Sequence, residues 1–330
     1  MVGKILGTGS HAPAQIWDNN KLAEMVETDD AWIRERTGIA MRHIATEQES
    51  TAYLAAEAAR AALENAAVDA EDIDLIIVAT VSPGILVPCT ACEVQRMLGA
   101  KNATCFDLNA ACTGFLLALN TAQAYMAQGI YRMALVIGAE CLSNLTDWRD
   151  RGTCILFGDG AGAAVLGAQS GGTYAQVTHS IGEKGGVLTC ASANTRASVD
   201  AGANESVHKS LDAADVFLRM DGGEVFKFAV SKVPEVIREL LDRANLAAED
   251  IDYFVLHQAN ARIISAVAKR IGGDPERFPI NISEYGNTSS ASIPILLDEL
   301  NRAGKLKRGM KLVLAGFGGG LSCGASFIVW

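Results

Sequence analysis

The chain has 330 residues, of which 49% are hydrophobic and 20% are charged. This composition is typical of a protein with a large folded core and not of a disordered chain. The formal net charge of -10 argues against general binding to nucleic acid or to anionic membranes. No apolar run approaches the ~18 residues of a membrane helix, and the start lacks the pattern of a signal peptide, so we expect a cytoplasmic protein.

The first half of the chain predicts alternating elements in the order helix 54–65, strand 75–79, strand 104–108, helix 115–128 and strand 134–138. The strands are unbroken apolar runs, which fits strands that helices cover on both faces. In the second half, the predicted elements are helix 236–245, strand 253–256, strand 278–282, helix 293–302 and strand 312–316. Both halves are therefore of the α/β class.

The two halves also share sequence. The run Ala-Glu-Asp-Ile-Asp occupies 70–74 and again 248–252, an offset of 178 residues (248 minus 70), and strands 134–138 and 312–316 keep that offset. Two matches at one offset indicate a duplication, and we predict a layered α/β fold whose halves, 1–170 and 171–330, are related by a pseudo-twofold axis. Residues 171–215 are rich in small and polar residues and are predicted to be loops.

The eight cysteines do not predict a disulfide framework in a cytoplasmic chain. Cys89 and Cys92 have the C-x-x-C spacing, but a zinc site would need two further ligands, and no second such pair or paired histidine is present. A redox motif of this kind is expected at the start of a helix in a much smaller fold. The sequence therefore favours neither a metal nor a redox role for this pair.

Cys112 stands in Asp-Leu-Asn-Ala-Ala-Cys-Thr-Gly-Phe, where strand 104–108 turns into helix 115–128. Free N–H groups and the positive end of the helix dipole at such a position stabilise a thiolate. Gly114 would let a substrate or another backbone approach closely. Cys112 is therefore the predicted nucleophile.

The second half supplies possible partners for this thiol. Asn287 lies at a comparable position, between strand 278–282 and helix 293–302, and His257 follows a predicted strand directly. The carboxyl ends of strands are where ligands gather in α/β sheets. We therefore expect Cys112, His257 and Asn287 to share one site.

A glycine run, Gly316-Phe-Gly-Gly-Gly320, follows the last apolar strand. A dinucleotide-binding loop would need a helix after the glycines, whereas residues 321–330 alternate between small and apolar residues and predict a closing strand. A backbone N–H donor beside the thiol is the better interpretation of the run.

Together these motifs resemble β-ketoacyl-acyl-carrier-protein synthase III, a family of condensing enzymes in the thiolase superfamily, over the whole chain. The resemblance is carried by Asn-Ala-Ala-Cys112-Thr-Gly-Phe, His257-Gln-Ala-Asn260, Gly286-Asn287-Thr-Ser and the glycine run. Elongating synthases would have Cys-His-His, and thiolases would have a second catalytic cysteine in place of the asparagine.

The resemblance implies a two-stage reaction. An acyl-CoA primer, acetyl-CoA by default, acylates Cys112, and malonyl-acyl-carrier-protein then loses CO₂ and condenses with the acyl group to begin fatty acid synthesis. His257 and Asn287 would stabilise the enolate, and the N–H groups of Cys112 and Gly319 would form the oxyanion hole. The resemblance implies no metal or redox cofactor.

The resemblance also implies binding surfaces. The residues expected to contact CoA are Trp32, Arg36, Thr37, Arg151, Gly152 and Asn260. A Trp–Arg pair suits a purine and its phosphates, although an amphipathic tryptophan on a surface helix is the alternative. Because carrier protein is acidic, a basic docking site is expected at Lys227, Arg262, Lys269 and Arg270, with ordinary solvated helix charges as the alternative.

The acyl pocket is expected to include Val87 and Phe317. In the family, the position of Val87 caps the pocket of the partner subunit in a homodimer, often as phenylalanine. The smaller valine could admit longer or branched primers.

Two other functions stay open from the sequence. A polyketide or quinolone-type starter synthase would share Cys-His-Asn and differ in pocket and carrier. A papain-like hydrolase also uses Cys, His and Asn, but it should show neither the duplication nor the CoA-type positions.

Overall fold

The computed structural model describes residues 1–191, 216–272 and 274–330. Within them the helices are α1 (Asn19–Ala23), α2 (Asp30–Thr37), α3 (Thr51–Ala66), α4 (Thr90–Leu98), α5 (Gly114–Ala127), α6 (Arg151–Cys154), α7 (Gly222–Ala244), α8 (Ala261–Ile271), α9 (Ile282–Tyr285) and α10 (Ser292–Arg302). The strands are β1 (Val2–His11), β2 (Ile16–Asp18), β3 (Met41–His43), β4 (Leu75–Ala79), β5 (Thr104–Leu108), β6 (Met133–Cys141), β7 (Asp159–Gln169), β8 (Ala175–Ser180), β9 (Leu188–Thr189), β10 (Arg219–Met220), β11 (Tyr253–Leu256), β12 (Lys311–Gly318) and β13 (Ser322–Val329).

Sheet A has five strands in the order β1-β7-β6-β4-β5. Strands β6, β4 and β5 are parallel, and β7 is antiparallel to both β6 and β1. All five residues of β4, Leu-Ile-Ile-Val-Ala, are buried, as expected of a strand with helices on both faces. The predicted strands 75–79, 104–108 and 134–138 are confirmed.

Sheet B has four strands in the order β11-β12-β13-β8, and their directions repeat those of β4, β6, β7 and β1. Within the described parts of the chain, sheet B contains no strand that corresponds to β5. Residues 278–281 form no strand and α9 begins at Ile282, so the predicted strand 278–282 is wrong. Pro279 in this segment has no N–H to give to a sheet ladder, which disfavours a strand.

The two sheets enclose a helical layer. One buried cluster joins α5 and α10 to the inner faces of both sheets, and its members include Phe115, Leu116, Ile293, Leu297, Ile77 and Leu314. Two further clusters pack α3 and α4 on the outer face of sheet A, and α7 and α8 on the outer face of sheet B. These α-β-α-β-α layers confirm the predicted layered fold of two similar α/β halves.

The repeat extends to the turns before the two central helices. Ala111 has φ 47° and Ser289 has φ 48°, and these residues are again 178 apart (289 minus 111). Each opens a 3-10 turn that leads into α5 or α10. A left-handed conformation is uncommon for residues other than glycine, so the two turns are structural equivalents. The counterpart of Cys112 is therefore Ser290, and not Asn287 as the sequence suggested.

The other predicted elements can be compared with these bounds. Helices 54–65, 115–128 and 293–302 are confirmed with small shifts, and helix 236–245 is the C-terminal part of α7. Segment 171–215 is not all loop, because β8 and β9 lie in it and β8 pairs with β13. Residues 192–215 lie outside the described residues. The boundary near residue 170 follows the end of β7 and stays a prediction.

Local side chains explain where several helices start and end. The Ser50 hydroxyl accepts the N–H of Tyr53 at the start of α3, and Asp221 accepts the N–H of Glu224 at the start of α7. Gly38, with φ 82°, ends α2 in the left-handed conformation. None of the helices in the described parts of the chain is long and apolar enough to cross a membrane.

Candidate active site

Cys112 lies in the 3-10 turn that connects β5 to α5, and its side chain is only 9% exposed. Gly114 follows at the first position of α5. A Cβ atom on Gly114 would lie 3.0 Å from the Cβ of Ala79 and 3.3 Å from that of Ser290. Glycine thus lets the start of α5 pack tightly against β4 and the equivalent turn of the other half.

The thiol of Cys112 is protonated in the free protein, because burial raises its pKa to about 12. The Ser289 side chain lowers this pKa, Glu140 raises it, and the N–H of Cys112 itself lowers it. The expectation that the helix N-terminus maintains a thiolate is therefore not confirmed, since desolvation outweighs it. The thiolate has to form as a substrate is attacked.

His257 follows β11, and its backbone N–H donates to the carbonyl of Ala315 at 2.8 Å. Burial lowers the pKa of its imidazole to about 3, so the ring is neutral near pH 7. The Nδ1 atom lies 2.7 Å from the hydroxyl of Ser292. The Nε2 atom is buried and has no hydrogen-bond partner in the described part of the chain.

The hydroxyl of Ser292 determines which nitrogen of His257 carries the proton. This oxygen accepts the backbone N–H of Gln258 at 3.3 Å, so the hydroxyl proton is available to Nδ1. When Ser292 donates to Nδ1, the imidazole proton resides on Nε2. His257 then presents an N–H donor from its unpartnered nitrogen.

Asn287 is fixed by hydrogen bonds of its backbone and of its side-chain oxygen. Its N–H donates to Leu156 O at 2.8 Å, and its carbonyl accepts the N–H of Gly158 at 3.1 Å. The side-chain Oδ1 accepts the N–H of Ser289 at 2.9 Å. The amide nitrogen of Asn287 is therefore the end left to donate to a ligand.

Strand β12 brings Cys112 and His257 together. A Cβ on Gly316 would lie 3.2 Å from the Cβ of His257, and a Cβ on Gly318 would lie 2.7 Å from the backbone nitrogen of Cys112. Between them, the ring of Phe317 meets that of His257 edge to face, with centroids 5.4 Å apart. The glycine run therefore allows two side chains from different halves to share one site.

The turn Ser289–Ala291 contacts both Asn287 and Cys112. Ser289 binds the Asn287 amide through its N–H, and its side chain lowers the pKa of Cys112. The structure thus places Cys112, His257 and Asn287 around the same turn and strand. Their separate chemical roles stay a prediction.

A buried carboxyl beside this site was missed in the sequence. Glu140 accepts hydrogen bonds from the Ser82 hydroxyl at 2.7 Å and the Val81 N–H at 3.1 Å. The Ser290 hydroxyl lies 2.9 Å from both Glu140 Oε1 and the carbonyl of Ala79. A hydroxyl has one proton and a carbonyl none, so two full bonds require a protonated Glu140. Burial, which raises the pKa of Glu140, favours the same state.

Ser292 was missed as well. No motif marked it, because serines are common at helix starts, and its contact with His257 spans 35 residues of sequence. The spacing of the duplication could have drawn attention to it, since Ser292 is the counterpart of Gly114 (292 minus 114 is again 178).

The predicted CoA residues form a second cluster. The guanidinium groups of Arg36 and Arg151 lie 4.4 Å and 5.0 Å from the ring centroid of Trp32. Arg151 belongs to α6 and also donates to Glu27 O at 3.1 Å. A surface helix accounts for Arg36, which shares α2 with Trp32, but not for an arginine from a separate helix. The cluster therefore favours a built cationic–aromatic surface.

Three other predicted CoA residues are engaged within the chain. The buried hydroxyl of Thr37 donates to Ile33 O and accepts the N–H of Ile39, so it ends α2 and is not free to contact a nucleotide. Gly152 donates its N–H to Asp150. Asn260 caps α8 by accepting the N–H of Arg262 and donates to Arg36 O at 3.0 Å.

The predicted docking residues lie on α7 and α8. Arg262 is 5.8 Å from the ring centroid of Phe226, and Arg270 donates to Val230 O, so both reach α7. Lys269 is exposed near the end of α8. Lys227 forms an ion pair with Glu224 at 2.8 Å, which reduces the positive charge that it offers.

The two residues predicted for the acyl pocket, Phe317 and Val87, differ in their exposure to solvent. Phe317 is buried against His257. Val87 is 87% exposed and lies in an apolar run with Ile85 and Leu86, which are 44% and 65% exposed. No element of residues 1–191, 216–272 or 274–330 covers this run. Within residues 1–191, 216–272 and 274–330, no group of three His, Cys, Asp or Glu side chains could hold a metal ion.

The chain is similar to known proteins over nearly its whole length. The model of 3-oxoacyl-[acyl-carrier-protein] synthase III matches residues 106–185, and the model of its C-terminal part matches residues 241–330. A protein named β-ketoacyl-[acyl-carrier-protein] synthase III from Clostridium acetobutylicum is 47% identical over 328 residues, 99% of this chain and 98% of its own length.

Solved structures of synthases are also similar to this chain over nearly its whole length. The 3-oxoacyl-[acyl-carrier-protein] synthase III of Aquifex aeolicus is 41% identical, with a TM-score of 0.90 and coverage of 99% of this chain and 100% of that chain. The priming β-ketosynthase of the R1128 polyketide pathway is 35% identical, with a TM-score of 0.91 and coverage of 99% and 96%.

Proposed function

The chain belongs to the 3-oxoacyl-[acyl-carrier-protein] synthase III family, and from this membership we propose that it initiates fatty acid synthesis. It takes an acyl group from acyl-CoA onto Cys112 and condenses it with malonyl-acyl-carrier-protein to give a 3-oxoacyl-carrier protein. The observation that carries the proposal is the meeting of Cys112, His257 and Asn287 around Gly316–Gly318 and Ser289.

In the first stage, the Cys112 sulfur attacks the thioester carbonyl of acyl-CoA, and the thiol proton leaves with CoA. The developing oxyanion is held by the N–H groups of Cys112 and Gly319. The close packing of Gly318 on the Cys112 backbone supports this arrangement. Burial disfavours a free thiolate in the absence of substrate, which limits side reactions of the nucleophile.

In the second stage, malonyl-acyl-carrier-protein loses CO₂, and the resulting carbanion attacks the acyl carbonyl on Cys112. The enolate oxygen accepts hydrogen bonds from His257 Nε2 and the Asn287 amide nitrogen. The bonds of His257 to Ser292 and of Asn287 to Ser289 support this, because each leaves a donor free. Decarboxylation supplies the carbanion, so the reaction needs no metal or redox cofactor.

The binding surfaces complete the proposal. The Trp32–Arg36–Arg151 cluster binds the nucleotide end of CoA, and Asn260 holds Arg36. The basic side chains of Arg262, Lys269 and Arg270 attract the acidic carrier protein, with Lys227 weakened by its ion pair. A cytoplasmic location fits substrates of this kind.

We also propose a homodimer. The support is the exposed apolar run Ile85 to Val87, together with β5. This strand lies at the edge of sheet A, and among the described residues only β4 pairs with it. In a dimer the partner covers the run, and Val87 reaches the partner's acyl pocket.

The alternatives carry less support. Curated relatives named for synthase III are 44–47% identical over nearly the whole chain, against 35% for the polyketide priming enzyme, so the starter-synthase function is not favoured. The papain-like hydrolase is wrong, because the fold and family are those of condensing enzymes.

The test is made in two stages. Full-length protein is incubated with acetyl-CoA, and intact mass spectrometry is expected to show one acetyl group, absent in Cys112→Ala. Malonyl-acyl-carrier-protein is then added and CO₂ release is followed. His257→Ala and Asn287→Ala should keep partial acylation and lose about 10²–10³ in condensation, as expected for one lost oxyanion donor.

The exposed histidine His179, which pairs with Glu239, provides the matched control: His179→Ala should condense normally. Normal decarboxylation in His257→Ala or Asn287→Ala would contradict the assigned roles. Acylation that persists in Cys112→Ala would contradict the nucleophile.

A further inference from the structure

The C-x-x-C pair lies at the start of a helix, contrary to the expectation from sequence. Cys89 is the residue that precedes α4, and Cys92 is the third residue of that helix. Their Sγ atoms are 3.5 Å apart, and the N–H of Cys92 donates to Cys89 O at 3.0 Å. Since a disulfide has an S–S length of about 2.05 Å, the two sulfurs need to approach by about 1.5 Å.

The surroundings decide what such a pair can do. The first N–H groups of α4, from Thr90 and Ala91, donate to the carboxylate of Asp107, each at 2.8 Å. This anion occupies the helix N-terminus, which in disulfide oxidoreductases stabilises a cysteine thiolate. The pKa of Cys92 is raised by its bond to Cys89, by burial and by Asp107. A dithiol that is not stabilised as a thiolate forms a persistent disulfide and not a strongly oxidising one.

A third thiol lies nearby and has to be considered. Cys105, on β5, lies beside Cys92 and donates to Ala103 O at 3.5 Å. Burial raises the pKa of Cys105 to about 12, which makes it a poor partner in thiol exchange. The Sγ–Sγ distance of 3.5 Å and the shared position at the start of α4 give Cys89 as the partner of Cys92.

We propose that Cys89 and Cys92 form a modification site, which a small-molecule disulfide converts to an intramolecular disulfide. In the first step, the thiolate of one cysteine attacks the small disulfide and releases one thiol, leaving a mixed disulfide. In the second, the other cysteine attacks that bond and releases the second thiol. Two protein thiols are oxidised, one small disulfide is reduced to two thiols, and the two protons go to the thiols released.

The Cys89–Cys92 disulfide would restrict the apolar run Ile85 to Val87, which lies just before Cys89 in the sequence. Cys89 follows Val87 by two residues, and Ile85 to Val87 are exposed in the monomer. Linking Cys89 to Cys92 fixes the end of this run to the first turn of α4. This consequence rests on the proposed function, in which Val87 caps the acyl pocket of the partner, and it makes the choice of primer depend on the redox state.

Peptide mapping tests the bond itself. Full-length protein is incubated with oxidised glutathione, its free thiols are alkylated, and it is digested with trypsin. Peptide 61–96 contains Cys89 and Cys92 and no other cysteine, whereas 102–132 contains Cys105 and Cys112. The expected product is peptide 61–96 with two hydrogens fewer and no alkyl group. Full alkylation of 61–96, or a cross-link between 61–96 and 102–132, would overturn the proposal.

Two variants sharpen the result. Cys89→Ser should abolish the internal disulfide, and Cys105→Ser should retain it. The reduced and oxidised proteins are then compared for acylation by short and branched acyl-CoA primers. We expect the ratio of the two rates to change severalfold on oxidation, to recover with reductant, and to be constant in Cys89→Ser.

An unchanged ratio despite a mapped disulfide would overturn the link to primer choice. Failure of the proposed function is distinguishable, because the reduced protein would then not be acylated with any primer, while the mapping result would stand.

Discussion

At the scale of single residues, the site depends on which buried polar atoms donate hydrogen bonds and which accept them. His257 has one nitrogen bound to Ser292 and one with no partner among the described residues, and Asn287 has one amide atom bound to Ser289. In each case a serine of the segment 289–292 occupies one end of the functional group. The other end is left to donate, and its direction is determined by the packing of the turn. Ser292 is thus a positioning residue for His257.

Replacing Ser292 by alanine is expected to lower condensation by about tenfold to a hundredfold, the usual effect of losing a supporting partner. Acylation of Cys112 should fall less than condensation, because the Nε2 donor of His257 is assigned to the second stage. The ¹⁵N spectrum of histidine-labelled protein should show His257 as a mixture of tautomers. The measurements are the two half-reactions and that spectrum.

Ser326→Ala is a suitable control, since Ser326 is a buried serine that donates to Asn120 away from the site. Equal loss of acylation and condensation in Ser292→Ala, with an unchanged His257 tautomer, would indicate a purely structural role.

Burial of His257 also predicts how stability depends on pH. The ring has a pKa of about 3 when folded and 6.5 as the ordinary value, so below pH 6.5 the unfolded state binds a proton that the folded state does not. The free energy of unfolding should therefore fall as the pH decreases from 6.5 towards 3. This fall should be shallower in His257→Gln, as measured by urea unfolding at each pH. Parallel curves for the two proteins would contradict the buried neutral ring.

At the scale of elements, β12 and the two equivalent turns bring the halves into contact. The glycines of β12 let the strand approach His257 on one side and the Cys112 backbone on the other. The positive φ angles of Ala111 and Ser289 orient both turns in the same way. Conformations of this kind cost about 1–3 kcal/mol and persist where the surrounding structure requires them. Here they direct Cys112 and Ser290 from opposite halves towards the centre.

Gly318→Ala tests this packing. The added Cβ would lie 2.7 Å from the Cys112 nitrogen and 3.1 Å from its Cβ, so the nucleophile has to move. We expect the rate of Cys112 acylation to fall about 10²-fold, since a displacement near 1 Å can cost that much. Intact mass spectrometry over time measures the rate.

Gly186→Ala provides the control, because no atom lies within 4 Å of the Cβ that it adds. Its acylation rate should equal that of the unaltered protein. A normal rate in Gly318→Ala would show that the contact is not required.

At the scale of the whole molecule, the two halves form one body. Asp298 of α10 is buried and accepts hydrogen bonds from Thr8 and Ser10 of β1, at 3.0 Å and 2.6 Å, and it pairs with Arg302 at 2.8 Å. The central cluster likewise takes residues from both sheets. A duplicated sequence has therefore produced a fold in which each half covers an apolar face of the other.

The exposed apolar run predicts the behaviour of the assembly. Leu86→Arg places a charge where the proposed partner packs, so this variant is expected to sediment as a monomer, whereas the unaltered chain is expected to sediment as a dimer. Analytical ultracentrifugation makes this measurement. Ile130→Arg, at another exposed apolar side chain, should stay dimeric, and a dimer of Leu86→Arg would contradict the proposed interface.

The sequence by itself indicated the α/β class, the duplication, the six strands β4, β5, β6, β11, β12 and β13, and the three residues proposed for the site. These follow from local patterns, because buried strands and helix starts have characteristic residues and the repeat fixes equivalent positions. The strand expected at 278–282 failed because Pro279 disfavours sheet pairing. Strands β1 and β7 were not predicted, because glycines interrupt their apolar residues. Strand β8 was missed because an edge strand such as Ala175–Ser180 is largely polar and exposed.

Only the tertiary structure revealed the burial of Cys112 and His257, the contacts that Ser292 and Glu140 make, and the closeness of Cys89 to Cys92. Each depends on burial or on a contact that tertiary packing creates. Desolvation, which raises the pKa of the thiol and lowers that of the imidazole, depends on how completely the halves enclose these groups. A linear pattern of residues carries no measure of that enclosure.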